Sequence, residues 1–281
     1  MADILERSVL NKEFYFLILV LVLAVSYNAA ATDTIRYNIS LKFADSKQFY
    51  YIDVLSLALE KTKAEYGEYK LEPVVVEMSQ GRTSIMVARN SGIDVVWRMT
   101  SKDMEQRLSG VYWPLLKGLM GYRIFIIRAD RQDDFSPSMH LEELKALTAG
   151  QGNDWPDAEI LLANDFKVIK SGAMALLGML DKGRFDYFPR ALHEPWVEIE
   201  NRSQFVVEEN ILIKYPAPMF FFVHKDNERL KERLSLGMEK AYKDGSFDQL
   251  FFSHSITKDV LQKANLNNRS LFDLPNPLLS E

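Results

Sequence analysis

Two arginines stand just after hydrophobic runs of the sequence. Arg98 follows the run 93–97 (IDVVW), and Arg190 comes two residues after the run 185–188 (FDYF). Such runs are typical of buried strands, and an arginine at the end of one needs a partner, because a guanidinium is almost never fully buried unless it is paired. Each arginine therefore either binds the negative group of a ligand or forms a structural ion pair. The sequence leaves both interpretations open.

Further candidate binding residues flank predicted strand ends or helix starts, which is where open α/β sheets bind their ligands. In the first half of the chain they are Tyr50, Gln80, Arg82 and Thr100, and in the second half they are Gly152, Asn153 and Trp155. If the segment around Tyr50 and Tyr51 is helical, at most one of the two rings can face a cleft. Residues 150–156 are predicted to be a loop that leads into a helix, whose free backbone N–H groups could hold a carboxylate.

The sequence offers little for catalysis or for metal binding. It contains no cysteine, which excludes disulfides, thiolate metal sites and cysteine nucleophiles. The four histidines show no metal-binding spacing, and neither a nucleophile elbow nor a phosphate-binding loop is present. Only His193 and Glu194 lie near a predicted cleft wall. We therefore predict no catalytic residue, no metal and no cofactor.

Strand and helix patterns alternate along the chain, which favours an α/β fold with helices on the faces of a parallel sheet. The predicted strands are 34–40, 71–78, 93–97, 121–128, 166–170, 185–188 and 218–224. The predicted helices are 52–63, 83–90, 141–147, 158–163, 173–182 and 228–243.

One pattern occurs twice, about 90 residues apart. In the first copy a predicted helix ends at Gly92, and Asp94 lies near the start of the hydrophobic run that follows. In the second copy the helix ends at Gly183, and Asp186 lies within the run that follows. The two copies could belong to two similar lobes, although a glycine followed by an aspartate is also a common end of a helix.

The N-terminal residues predict an export signal. An uninterrupted apolar run, 14–25, follows Arg7 and Lys12 and precedes the small residues Ala29 and Ala31. Twelve apolar residues are too few to span a bilayer, which needs about 20, but they suit the core of a signal peptide. We expect residues 1–31 to be removed, which leaves 250 residues; an uncleaved membrane anchor is the alternative. Because no cysteine is available for lipidation, an exported chain of this kind is expected in the periplasm.

The composition excludes two other classes of protein. Of the 281 residues, 47% are hydrophobic and 26% are charged, which is typical of a globular chain and not of a disordered one. The formal net charge of −5 argues against a broad nucleic-acid surface, which requires clustered lysine and arginine.

The order of these elements resembles the amino-acid-type (family 3) extracellular solute-binding proteins of ABC importers, over roughly residues 34–252. Three stretches carry the resemblance: 90–100 (NSGIDVVWRMT), 182–187 (KGRFDY) and 244–250 (DGSFDQL). It implies the two-lobed type II periplasmic-binding-protein fold, with residues 121–128 and 218–224 placed to be the two crossover strands of the hinge. Lobe 1 would then consist of residues 32–122 and 222–281, and lobe 2 of residues 123–221.

The chain departs from this family at two positions that grip an amino acid. Three residues after the threonine of the first motif, the family usually has an arginine for the ligand carboxylate, and here Asp103 occupies the position. Five residues after the aspartate of the second motif, it often has an aspartate for the ammonium, and here Ala191 occupies the position. The resemblance therefore predicts the fold without predicting an α-amino acid as the ligand.

We expect a monomeric periplasmic binding protein that closes its lobes on a small anionic or zwitterionic, amino-acid-like solute. Arg98 and Arg190 would grip negative groups from opposite lobes, and Tyr50 or Trp155 would cover an apolar part. The partner is expected to be the permease of an ABC importer or a membrane sensor. The alternative is a periplasmic enzyme on the same fold, similar to the cyclohexadienyl dehydratases, with His193 or Glu194 as its acid or base.

Overall fold

The structure, a computed structural model, describes residues 32–40 and 47–279. The predicted signal peptide lies outside these residues. In the described part of the chain, no helix is long and apolar enough to cross a membrane.

Strands and helices alternate through most of the described chain, as the sequence predicts. The strands are β1 (Asp33–Ile39), β2 (Tyr69–Val75), β3 (Val95–Met99), β4 (Ser109–Val111), β5 (Tyr122–Arg128), β6 (Thr148–Gly152), β7 (Lys167–Ser171), β8 (Phe188–Ala191), β9 (Phe205–Val207), β10 (Ile211–Lys214), β11 (Met219–Val223) and β12 (Ser270–Asp273). The helices are α1 (Lys47–Glu60), α2 (Lys63–Tyr66), α3 (Gln80–Ala88), α4 (Lys102–Arg107), α5 (Leu141–Ala146), α6 (Pro156–Ala163), α7 (Ala173–Asp181), α8 (Pro195–Glu198), α9 (Glu228–Lys243), α10 (Ser246–Ser253) and α11 (Val260–Ala264).

The strands form two groups. In the first strand group β1 pairs with β2 in parallel, and β11 lies antiparallel between β3 and β4. In the second strand group β5 is central and antiparallel to β8, β9 and β10, β12 pairs with β10, and β6 pairs with β7 in parallel. A backbone hydrogen bond from Asp94 to Arg36 joins β1 to β3, and a bridge between Ala149 and Tyr187 joins β6 to the central strands.

The repeated glycine–aspartate pattern performs the same structural task in both groups. Gly92 and Gly183 both adopt positive φ, of 82° and 62°, which glycine tolerates because it has no β-carbon. The backbone N–H of Asp94 donates to the carbonyl of Arg36, and the Asp94 carboxylate accepts the N–H of Arg36 at 2.7 Å. Asp186 makes the same two bonds with Thr148, each 2.8 Å long. Both aspartates therefore fix the neighbouring strand and do not face a ligand.

The chain crosses between the two groups just before β5 and just before β11, and it returns to the second group a third time at β12. The first two crossings run side by side: Leu115 N–H donates to the carbonyl of Met219, and Tyr215 N–H donates to the carbonyl of Gly121, both at 3.0 Å. The last strand, β12, pairs with β10, so residues 270–273 lie in the second strand group, although the predicted lobe 1 includes them.

Some predicted elements differ from the observed ones. The predicted and observed bounds of α9 are the same, but α1 begins five residues earlier than predicted and the strand predicted at 185–188 begins only at Phe188. The predicted loop at 150–152 is wrong, since these residues end strand β6. Glycine is required there because a β-carbon at Gly150 or Gly152 would overlap the ring of Phe185 or Trp155. Such close approaches leave no local signal of a strand.

Candidate functional site

Two connected cavities lie between the strand groups, near the ends of β3 and β8. The inner cavity has a volume of ≈ 100 Å³, and its walls come from both groups; its charged and aromatic side chains include Lys47, Tyr51, Trp97, Arg98, Arg123, Trp155, Asp157, Arg190, His193 and Glu194. The outer cavity, of ≈ 670 Å³, shares Gln48, Gln80, Trp97, Arg98 and Trp155 with it. This position fits the rule that α/β sheets bind ligands beyond the carboxyl ends of their strands.

Tyr51, and not Tyr50, lines the inner cavity. The Tyr51 ring stacks on Trp97 with 5.4 Å between centroids, and its hydroxyl is hydrogen-bonded to His193 Nε2 at 3.1 Å. Tyr50 is fully buried and donates to the carbonyl of Leu115 at 2.5 Å. Successive helical residues point about 100° apart, so only one of the two rings can face the cavity.

Arg98 is a cation held by neutral oxygen atoms. Its Nη1 donates to the carbonyl of Trp97 at 2.6 Å, its Nε to the Ser84 hydroxyl at 3.2 Å, and its Nη2 to the carbonyl of Gln80 and the hydroxyl of Thr83. No carboxylate of the described residues lies within ion-pair distance of this guanidinium. These four bonds leave one of the five N–H groups, on Nη1, for a ligand. Burial lowers the pKa of Arg98 to about 10, which still leaves it charged at neutral pH.

Arg190 also lines the inner cavity, but its charge is neutralised within the protein. It donates to both oxygens of Glu198, at 2.8 and 2.6 Å, and pairs with Glu194 at 2.8 Å. Its guanidinium carbon lies 4.7 Å from the centroid of Trp155. Burial alone would lower the pKa of Arg190, but the two carboxylates outweigh burial and raise it. An anion would have to compete with both glutamates, so the structure gives Arg190 no free charge for a ligand.

A second neutralised arginine forms the floor of the inner cavity. Arg123 is 1% exposed and donates from Nε to Asp157 at 2.6 Å and to the Tyr215 hydroxyl at 2.8 Å. Its Nη2 has no hydrogen-bond partner in the described part of the protein. Burial acts to lower the pKa of Arg123, yet Asp157 and Tyr215 raise it above the ordinary value.

His193 is a buried neutral imidazole on the cavity wall. Burial is the main cause that lowers its pKa to about 4, and the neighbouring cations Lys47, Arg190 and Arg123 lower it further. Within the described residues its Nδ1 has no hydrogen-bond partner. At neutral pH His193 therefore adds no charge to the site.

The other predicted site residues fall into two sets. Gln80 and Asn153 line the cavities, and Trp155 lines both of them. Arg82 is exposed and lines neither cavity. Thr100 is buried and donates its hydroxyl to Glu105 at 2.6 Å, and Gly152 lies beneath the Trp155 ring. Neither Arg82 nor Thr100 therefore lines the inner or the outer cavity.

Two contacts between the strand groups close the cleft around the cavities. Lys47 of α1 pairs with Glu198 of α8 and lies 3.9 Å from Glu194. The Gly81 N–H, at the start of α3, donates to the Asp154 carboxylate at 2.8 Å.

The predicted helix start after Asn153 is confirmed, since Pro156 is the first residue of α6.

Four residues of the site were not predicted from the sequence, namely Lys47, Arg123, Asp157 and Glu198, and the choice between Tyr50 and Tyr51 was left open. Lys47 carries no motif, and only the helical periodicity of α1 could have placed it one turn from Tyr51. Asp157 follows a proline at a helix start, where an acidic residue is ordinary. The described residues contain no group of acidic or histidine side chains that could hold a metal ion.

The architecture is the type II periplasmic-binding-protein fold, which the substrate-binding proteins of amino acid ABC transporters share. A Salmonella typhimurium periplasmic binding protein with high arginine specificity matches with a TM-score of 0.58 at 15% identity, over 78% of this chain and 97% of its own. An amino acid ABC transporter substrate-binding protein from Streptococcus pneumoniae, bound to L-arginine, matches with a TM-score of 0.56 at 13% identity, over 83% of this chain and 96% of its own.

A histidine kinase sensor domain with similarity to periplasmic binding proteins matches equally well. Its TM-score is 0.57 at 16% identity, over 78% of this chain and 93% of its own. No protein-family model matches the sequence, and the comparison with curated proteins gives no match. At these identities the similarity establishes the fold, and it confirms the fold class predicted from the sequence.

Proposed function

We propose that this protein is an exported solute-binding protein that closes two lobes around a small anionic or zwitterionic, amino-acid-like molecule. The observation that carries the proposal is Arg98, a charged guanidinium that lines both cavities and has no carboxylate of the described residues within ion-pair distance, so that Asp154 acts on it only through space. Arg98 is half-buried, and closure of the cleft would remove more water from its charge, which is costly unless an anion pairs with it; a negative group of the solute would meet this need.

The remaining charges of the inner cavity support this reading. Arg190 is balanced by Glu194 and Glu198, and Arg123 is balanced by Asp157. The stacked rings of Tyr51 and Trp97 offer an apolar surface beside Arg98. A ligand with one anionic group and a small apolar body would match both features.

The lobes in this proposal follow the two strand groups. Lobe 1 comprises residues 32–122 and 222–269, and lobe 2 comprises residues 123–221 with the added strand β12. The crossings before β5 and β11 would act as the hinge, because they run side by side and hydrogen-bond to neighbouring strand ends.

We further propose that the chain works in the periplasm as a monomer, after removal of residues 1–31. The intact mass of the exported protein should then correspond to a chain that starts at Thr32. The solute would be passed to the permease of an ABC importer or presented to a membrane sensor; the structural neighbours include a substrate-binding protein of an amino acid ABC transporter and a histidine kinase sensor domain.

The test of the proposal compares Arg98→Lys with Arg98→Met. Both variants lose the bonds of the planar guanidinium to lobe 1, but only Lys keeps a cation at the cavity. The probes are the natural α-amino acids and, for each, the carboxylic acid that carries hydrogen in place of the α-amino group. We expect the wild type to bind at least one probe, and Arg98→Met to lose roughly 30- to 1,000-fold in affinity, as expected for a charge-assisted bond of about 2–4 kcal/mol. Arg98→Lys should keep a larger share of the affinity than Arg98→Met.

Calorimetry measures the affinities, and melting curves without a probe measure the structural loss common to both variants. If the two variants bind with the same affinity, Arg98 is part of the scaffold and its charge does not hold the solute. If the wild type binds none of the probes, the proposed solute class is wrong.

The enzyme alternative depends on His193, whose Nδ1 lacks a partner among the described residues and whose side chain lines the cavity beside Glu194. A dehydratase would use this imidazole as its base. The two functions are separated by incubating the protein with a cyclohexadienyl substrate. An enzyme would convert it to the product formed by loss of water, whereas a binding protein would leave it unchanged. Turnover that disappears in His193→Gln would favour the enzyme.

A further inference from the structure

We infer that Lys47 sets the specificity of the site by occupying the position of a ligand ammonium, so that the solute is an anion without an amino group. This inference rests on the proposed function. Lys47 is the first residue of α1, in lobe 1, yet its ammonium lies against the carboxylates of Glu194 and Glu198 in lobe 2.

The contacts of Lys47 resemble those of a bound amine. Its side chain is 10% exposed, and those of Glu194 and Glu198 are 13% and 17% exposed. Glu198 accepts hydrogen bonds from Lys47 and from Arg190. Burial would raise the pKa of Glu198, but Arg190 and Lys47 outweigh it and lower the pKa to about 2. The carboxylate is therefore fully ionised and already holds two cations.

The charges on the cavity wall then decide what else can bind. The described cations at the inner cavity are Lys47, Arg98, Arg123 and Arg190, and the carboxylates that pair with them are Asp157, Glu194 and Glu198. His193 is neutral, so one positive charge remains, and it is the one on Arg98. Asp154 lines the outer cavity, where it accepts the Gly81 N–H; it is beyond ion-pair distance of Arg98 but acts on it through space and raises its pKa.

A ligand ammonium would meet no carboxylate that lacks a cation at the inner cavity. It would have to displace Lys47 from Glu198, or enter beside Lys47 and repel it. A plain carboxylate meets neither obstacle, because Arg98 balances it. The pair of Lys47 and Glu198 also spans the two lobes, so it contributes to closure whether or not the solute carries an amine.

Removal of the Lys47 charge should weaken the preference for the solute without an amino group. In Lys47→Met the cluster of Glu194, Glu198 and Arg190 carries a net negative charge that faces the cavity. An α-amino acid could then place its carboxylate at Arg98 and its ammonium at the vacated position. The matched control is Lys61→Met, which also removes one positive charge but breaks an exposed pair with Asp244, away from the cavity.

The experiment measures dissociation constants for the same matched probes, each an α-amino acid and its counterpart without the amino group. In the wild type we expect the counterpart to bind at least tenfold more tightly than the amino acid. In Lys47→Met this discrimination should fall by tenfold or more, through tighter binding of the amino acid, whereas Lys61→Met should keep the wild-type ratio.

Two outcomes would contradict the inference, and a third would contradict the proposed function on which it rests. A wild type that prefers the amino acid overturns it and leaves the proposed function intact, and this arm needs no variant to fold. A Lys47→Met protein that binds both members of a pair more weakly by the same factor also overturns it, since Lys47 would then serve closure alone. A wild type that binds no probe overturns the proposed function itself.

Discussion

At the scale of single residues, three arginines line one cavity and differ only in their partners. Arg123 and Arg190 are held by carboxylates that raise their pKa, whereas Arg98 is held by carbonyl and hydroxyl oxygens and its pKa is lowered by burial. The residue type is the same in all three cases. The local charge balance makes Arg98 the binding candidate and the other two part of the scaffold.

His193 makes the stability of the protein depend on pH. Its pKa in the folded protein is about 4, below the ordinary value of 6.5, because burial disfavours the charged ring. A depressed pKa contributes stability that is present above pH 6.5 and is lost as the pH falls toward 4. The difference corresponds to roughly 3 kcal/mol at most. We expect His193→Gln to lose less stability than the wild type between pH 6.5 and 4, as measured by denaturant unfolding.

The control for this prediction is His140→Gln, which changes an exposed histidine. This variant keeps His193, so its stability should fall between pH 6.5 and 4 as that of the wild type does. If the profile of His193→Gln is also parallel to the wild type, the closed cleft does not desolvate His193 and the Tyr51–His193 contact is not formed in solution.

At the scale of secondary-structure elements, α1 carries Lys47 and Tyr51, and its position is set by close packing against α9. Gly237 lies within α9, and a β-carbon there would overlap the backbone carbonyl of Ala58 in α1. The small residue lets the two helix backbones approach each other. The position of α1, and with it the position of Lys47 at the cleft, therefore depends on a glycine far from the site.

Two glycine substitutions should have opposite effects on the free energy of unfolding. Gly237→Ala should destabilise the protein by about 1–3 kcal/mol, because the overlap with Ala58 outweighs the gain in helix propensity. Gly178→Ala, in α7, should stabilise it by about 0.5–1 kcal/mol, because no atom outside the adjoining backbone of α7 lies within 4 Å of the new β-carbon. Urea unfolding measures both changes. Stabilisation by Gly237→Ala would mean that α1 and α9 are farther apart than in this structure.

At the scale of the whole molecule, the two strand groups meet across the cleft through a small number of polar contacts. One of them, between Gly81 and Asp154, offers a direct way to fix the closed form. A β-carbon at Gly81 would lie 3.8 Å from the β-carbon of Asp154, which is the mean separation in disulfides. The natural chain has no cysteine, so an introduced pair has no competing thiol.

We expect the double variant Gly81→Cys, Asp154→Cys to form a disulfide under oxidising conditions and to hold the lobes closed. In solution scattering, the radius of gyration of the oxidised form should be small with or without solute. The radius of gyration of the reduced form should decrease when solute binds. The variant with Gly81→Cys alone is the control and should behave like the reduced form. A double variant that stays unpaired in the presence of an oxidant would show that the lobes do not close to this distance.

The sequence by itself determined the alternation of elements and several of their ends, because these depend on local signals. Helix α9 has the predicted bounds, since Asn227 accepts the N–H of Leu230 at its start and Gly245, in the left-handed conformation, follows its end. The repeated glycine and aspartate at residues 92–94 and 183–186 were visible as a motif for the same reason. Arg98 was predicted to be a candidate binding residue because a charged side chain directly after a hydrophobic run is unusual in the sequence itself.

Only the tertiary structure decided which side chains form the site and what each one holds. Lys47 and Glu198 are 151 residues apart in sequence, and Tyr51 and His193 are 142 apart, so no local pattern could pair them. The same holds for the choice between Tyr50 and Tyr51 and for the joining of β12 to β10. The sequence predicts that a residue can carry a charge, but the free energy of that charge depends on the groups that folding brings next to it. For this reason the fold was predictable from the chain, whereas the distinction between Arg98, Arg123 and Arg190 was not.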